Sequence, residues 1–292
     1  MSEPKPAPVP TNAGNVTPPP SSDARPVAWQ PFTPRGVAAF ASANFGRLFV
    51  AQGVVAILAG AAVVWFLSTV WFPAVRGAIS NLPEQGAIAG GQLNLPPTEF
   101  ERLVTNRFLT FAVDTQTGQP HSFSVDVFVI FRQRHYETCS LFGCAFFRYP
   151  VQDAPFNRLE LEAKWGAWQP ILLGIAGIST ALALLFAWWI LATACFLFVW
   201  LLAFFADRQL TVGGSWRLCG AALLAGAVLL IAGMVGYGFG VLDLIRLLAV
   251  AVMHVLLSFI LIVWAVFALP PVKPKVAPNP FLTGAKKDSQ KQ

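Results

Sequence analysis

Four long stretches of this chain contain no Asp, Glu, Lys or Arg. They run from Leu48 to Val75 (28 residues), Trp165 to Ala206 (42), Leu218 to Leu242 (25) and Leu247 to Val272 (26). A helix needs about 20 apolar residues to cross a hydrocarbon core roughly 30 Å thick. Three stretches therefore hold one span each, and the second has room for one long helix or two. Of the 292 residues, 55% are hydrophobic and only 12% charged, against about 25% charged in a soluble domain. A water-soluble enzyme and a chain disordered throughout both fail on that balance.

Charge at the span ends sets the expected topology, because Lys and Arg favour the cytoplasmic side. The N-terminal tail carries Lys5, Arg25, Arg35 and Arg47 against Glu3 and Asp23. The C-terminal tail carries Lys273, Lys275, Lys286, Lys287 and Lys291 against Asp288. Both tails are expected inside, which requires an even number of spans. Leu182–Ala192, in the middle of the longest stretch, has no Gly, Pro, Asn or Asp to turn the chain, and a turn in lipid would leave backbone groups unpaired. The expectation is four spans, with residues 165–206 as one long helix bending near Gly174, Gly177, Ser179 and Thr180. The first span reads as a retained anchor, since its leader and apolar run are both too long for a cleaved signal.

The expected fold is membrane all-α, with a small extracytoplasmic α+β or β-rich domain inserted between helices 1 and 2. Residues 1–34 hold ten prolines and read as a disordered cytoplasmic tail, with a docking peptide as the rarer alternative. Residues 35–73 hold a juxtamembrane helix, with Phe40 and Phe45 toward lipid, and then the first span. Residues 74–164 form the extracytoplasmic domain. Residues 165–206 are the second span and 207–217 a cytoplasmic loop. Spans three and four occupy 218–242 and 247–269, and 270–292 are a basic cytoplasmic tail. The setting expected from these signals is a bacterial inner membrane, crossed several times, with both termini cytoplasmic.

Within the inserted domain, Phe108–Val113 reads as a strand ending in turn residues. Ser122–Arg132 alternates, with Phe123, Val125, Val127, Val129 and Phe131 on one face. Cys144–Tyr149 and Phe156–Leu161 are further strand candidates. Thr98–Asn106 reads as a helix, because Thr98 and Glu101 have capping-box spacing.

Few residues carry a chemical signal. Cys139 and Cys144 lie in the exported segment with four residues between them, and an oxidising compartment makes them a disulfide. His135 nearby is not enough for a zinc site, which wants four ligands. Asp243 and Arg246 flank the turn between spans three and four and are expected to pair while ending those spans. His254 is the one ionisable side chain well inside an apolar run, suited to a proton relay or to a hydrogen bond with a neighbouring helix. Gly226, Gly233, Gly236, Gly238 and Gly240 give span three a small-residue texture. Close helix packing within the chain is the plain reading, and a homo-oligomer is the sharper one. No cofactor or metal motif is present, and the net charge of +6 comes mainly from the tails, so it marks membrane orientation rather than nucleic-acid binding.

Certain short motifs give a resemblance: Leu82-Pro83, Ile88-x-x-Gly91-Gln92-Leu93, Val113-Asp114-Thr115 after a strand, and Ser215-Trp216-Arg217 before span three. In layout, from about residue 36 to 269, the chain resembles a bacterial family of polytopic membrane proteins of unknown function, distantly akin to Yip-type proteins. The resemblance implies one span, an extracytoplasmic insert and further spans, and it implies no activity. The proline-rich tail and the Cys139–Cys144 insertion depart from the pattern. The leading expectation is a non-enzymatic binding, scaffold or envelope-assembly protein that meets a protein partner through residues 74–164. A transporter or channel-like subunit would need His254, Asp243, Arg246, Gln52 or Thr193 to line one cavity. A membrane enzyme would need Asp114, Asp126, His121 or His135 gathered together.

Overall fold

The computed structural model describes residues 30–96, 101–115, 125–150 and 152–272. Its frame is four helices long and apolar enough to cross a membrane, with a β domain inserted after the first. Residues 1–29 of the proline-rich tail, Thr98, His121, Phe123 and the C-terminal lysines lie outside the described residues.

A short helix, α1 (Pro34–Phe40), opens the fold. The Thr33 hydroxyl caps it and proline sits in its first turn, where the missing N–H costs nothing. Phe40 is fully buried, and α1 packs on the last two helices of the chain. The expected lipid-facing Phe40 is thus corrected: its ring fills the helix interface, while Phe45 is exposed.

The first long helix has three parts. α2 (Phe45–Phe66) starts at the Asn44 cap, a π-helical segment covers Leu67–Trp71, and α3 (Phe72–Ser80) continues it. Pro73 has no N–H for the carbonyl one turn back, and its ring would crowd that carbonyl. The wider π turn just ahead of it is a known answer to such a break. The hydroxyls of Ser68 and Thr69 both donate to the Trp65 carbonyl in the same place.

After the β domain, α4 (Arg158–Phe205) runs unbroken for 48 residues, about 72 Å at 1.5 Å per residue. One helix therefore fills the stretch that had room for two. Asn157 caps it, and Arg158–Glu162 and Glu160–Lys164 face each other one turn apart at its start. The expected bend region is α-helical throughout. Gly177 instead marks the crossing of α2 and α4: a Cβ on Gly60 would come within 2.6 Å of the Gly177 carbonyl oxygen. Residues 207–211 turn the chain into α5 (Val212–Gly238), and α6 (Leu244–Ala268) returns antiparallel to it. The helical part of α5 begins well inside the stretch expected as loop, because Thr211 caps it there.

α5 is the central helix and touches α2, α4 and α6. Its glycines allow this closeness within the chain. A side chain at Gly226 would strike the His254 carbonyl and the Ser258 hydroxyl of α6, and one at Gly238 would strike the Trp65 ring of α2. At one end of the bundle the α4–α5 turn meets the end of α6, where Arg208 donates to the Leu269 carbonyl at 2.8 Å. The β domain sits at the other.

That domain contains two sheets. The small one pairs β1 (Ala87–Ala89) with β2 (Gln92–Asn94) and with β8 (Ala154–Pro155). The larger has the order β3 (Glu101–Thr105), β4 (Leu109–Val113), β5 (Val127–Phe131), β6 (His135–Ser140), β7 (Gly143–Arg148), antiparallel except for β4 with β5. Three expectations are corrected here. The segment expected as a helix over Thr98–Asn106 is the strand β3 in its described part, because pairing with β4 satisfies its backbone better than an isolated turn of helix. Phe156–Leu161 is not a strand, since α4 has begun by Arg158. In β5 the deeply buried side chains are Phe128 and Ile130, not the expected Val127, Val129 and Phe131 set. All five β5 residues are apolar and the strand is central, so alternation there says little about which face is covered.

Candidate functional site

The β domain is fixed to the helices by specific contacts. Asn106 donates to the Val70 carbonyl in the π segment at 3.0 Å and accepts from the backbone of Phe108 and Leu109. Arg107 donates to the Gly240 and Leu242 carbonyls in the turn between α5 and α6. Gly240 has φ +76° there, a left-handed conformation that glycine adopts without strain. The Tyr237 hydroxyl donates to the Asp126 carboxylate at 2.6 Å. Phe66, Phe108 and Tyr237 stack into one aromatic cluster beneath these bonds.

Inside the domain a buried guanidinium holds two carboxylates. Arg132 follows directly on β5, and its Nη1 donates to Asp114 at 2.8 Å while its Nε donates to Glu137 at 2.6 Å. The Asp114 side chain is wholly buried, and Arg132 and Glu137 are about as deep at 10% and 13% exposure. His135 Nε2 lies 3.0 Å from the same Glu137 oxygen. Burial pushes the Glu137 carboxyl up, but hydrogen bonds from Arg132 and His135 outweigh it and hold its pKa below the ordinary carboxylate value. The Tyr149 hydroxyl donates to the Arg132 carbonyl at 2.8 Å, and burial, with Tyr136 second, raises its pKa far above the usual phenol value.

His135 also reaches a cleft between the two sheets. The cleft is an open groove of about 730 Å³, lined by Gly90, Gly91, Gln92, Arg134, His135, Phe146 and Arg148. The β6–β7 ladder builds it by pairing His135 directly with Arg148. Gly90 and Gly91 both have positive φ at the β1–β2 turn, and at these two positions the wall is bare backbone.

Cys139 and Cys144 are joined by a disulfide and sit directly opposite each other in the β6–β7 hairpin. Two residues, Leu141 and Phe142, form its tip and are 58% and 78% exposed. Every residue of β7 is exposed, including Phe146 and Phe147, and β7 is the edge of its sheet.

The other candidates go to separate places. Asp243 caps α6 by accepting from the Arg246 backbone at 2.7 Å, and its carboxylate lies 3.5 Å from the Arg246 guanidinium on an exposed surface. His254 turns its ring to the Ala251 carbonyl of its own helix, and its own carbonyl accepts from Ser258. Gln52 is fully buried in α2 and accepts from Trp189 of α4, while Thr193 accepts from Trp216. Asp114 is bound to Arg132 and Asp126 to Tyr237, so the carboxylates considered for catalysis have different partners. Among the described residues, no three His, Cys, Asp or Glu side chains gather as metal ligands.

Sequence reading missed Arg132, Arg134, Arg148 and Arg107. Arg132-x-Arg134-His135 was visible as a basic cluster, and the disulfide alone implies a register that sets His135 opposite Arg148. No family model, curated protein or solved structure matches this chain.

Proposed function

We propose that this is a non-enzymatic multi-pass membrane protein that binds a protein partner through its β domain. Four apolar helices anchor it, and the basic tails put both termini in the cytoplasm and the β domain on the outer face of a bacterial inner membrane. The observation that carries the reading is the hairpin tip. Leu141 and Phe142 expose apolar surface on a loop that a disulfide closes. An apolar side chain held in one conformation loses little entropy when it enters a partner's pocket, and few buried anchors supply most of the affinity at such contacts.

Site-specific photo-crosslinking in living cells tests this. A benzoylphenylalanine in place of Phe142 should give a discrete protein adduct, and one in place of Glu162 on the α4 stem should not. Reduction of the disulfide should weaken the Phe142 adduct. Crosslinking of position 142 to lipid alone would refute the reading.

A further inference from the structure

Arg134 and Arg148 share one cleft with the His135 imidazole, and among the described residues no carboxylate joins that lining. Two nearby acids are each hydrogen-bonded, one of them to the cleft's own Gly90. Glu137 is held by Arg132 and His135, and an Asp153 oxygen accepts from the Gly90 backbone at 3.3 Å. Residues 74–164 carry 8 basic and 9 acidic groups, so this concentration of positive charge is local and does not reflect a basic domain. The basic groups line an open groove of about 730 Å³, room enough for a small ligand.

We propose that this cleft binds a phosphate-bearing ligand. Two arginines line the groove, and a guanidinium fork can donate two parallel hydrogen bonds to the oxygens of a phosphate. The Gly90–Gly91 turn leaves its wall open to close approach. Phe146, whose ring stands 5.8 Å from that of His135, supplies an apolar side for the rest of the ligand. His135 joins the cleft to the buried Arg132–Glu137 pair, so an anion in the cleft is felt by the ion network of the domain. The phosphate could come from a soluble ester or from a lipid headgroup, and both present the same group to the arginines. This inference does not rest on the hairpin reading, and either can fail alone.

The test uses the full chain in dodecyl maltoside micelles, which carry no phosphate, titrated calorimetrically with inorganic phosphate. Saturable binding is expected for the wild type. Each of Arg134→Gln and Arg148→Gln should weaken it severalfold, and the pair together at least tenfold. Arg158→Gln, on the α4 stem, should leave it unchanged. The Arg134→Lys, Arg148→Lys pair keeps the charge and loses the forks, so it should bind with intermediate affinity, and it decides the matter if the Gln pair fails to fold. Phosphatidylglycerol added to the micelles should compete with phosphate if the source is a headgroup and leave it unaffected if the ligand is soluble, and binding lost in the Gln pair supports the cleft in both cases. Absence of saturable phosphate binding by the wild type, or equal binding by wild type and the arginine variants, overturns the proposal.

Discussion

Removing the Arg132 guanidinium takes from the buried Asp114 its ion pair at 2.8 Å and leaves Glu137 with His135 in place of two cationic partners. Asp114 is wholly buried, so solvent cannot repair its loss, while Glu137 at 13% exposure is only partly shielded. Breaking a buried pair by deleting one partner costs about 3–5 kcal/mol. Arg132→Met keeps most of the side-chain volume and isolates the charge effect. With a urea m-value of about 1–3 kcal/mol/M, the unfolding midpoint of the β domain should fall by about 2 M. Pulse proteolysis of the full chain in micelles reads it, because cleavage between residues 74 and 164 reports opening of this domain. The triple variant Asp114→Asn, Arg132→Met, Glu137→Gln should recover most of the loss, since no ionised group then stays buried. An unchanged midpoint in Arg132→Met, or a triple variant as unstable as the single, would refute the reasoning about uncompensated charge.

Four further outcomes follow from the same contacts. The Glu137 carboxyl has a lowered pKa, so its contribution is complete above the unfolded value and is lost as pH falls through the folded one. The urea midpoint should therefore drop below about pH 4.5, and less steeply in Glu137→Gln; parallel curves would remove Glu137 from the account. Reducing the Cys139–Cys144 bridge should cost about 2 kcal/mol of domain stability by loop entropy, and thiol labelling of either cysteine in unreduced protein would contradict the bond. Gly226→Ala should destabilise the helices by about 1–3 kcal/mol through overpacking against α6, seen as a lower aggregation temperature in micelles. Gly174→Ala, where a Cβ meets nothing within 4 Å, should be neutral or stabilising in the same assay.

The four long helices were legible because each is a long apolar run almost free of charge. Four uncharged runs mark four helices, and the absence of turn residues in Leu182–Ala192 was enough to make α4 one helix. The β domain was legible only in part. Phe108–Val113 and Cys144–Tyr149 correspond to β4 and β7 within a residue or so. Thr98 and Glu101 imitated a helix cap, and the pairing of β3 with β4 overrode that local signal. Phe40 looked lipid-facing because nothing in its neighbourhood reveals that α1 folds back onto α5 and α6. The cleft needed two separate segments, β1–β2 and β6–β7, to be brought together, and one-dimensional pattern carries no record of that meeting. Its β6–β7 half could have been drawn from the cysteines, whose pairing fixes the strand register.

The way the β domain is mounted has a mechanical consequence. It enters on α3 and leaves on α4, and these two stems run beside each other: Phe72 meets Trp165 at 4.9 Å, and Arg76 donates to Gln169 at 3.0 Å. A single flexible tether would let such a head swivel. Two laced stems, with Arg107 clamping the α5–α6 turn as a third foot, resist torsion like a tripod. A pull on the β domain therefore reaches the helices through three attachments rather than one.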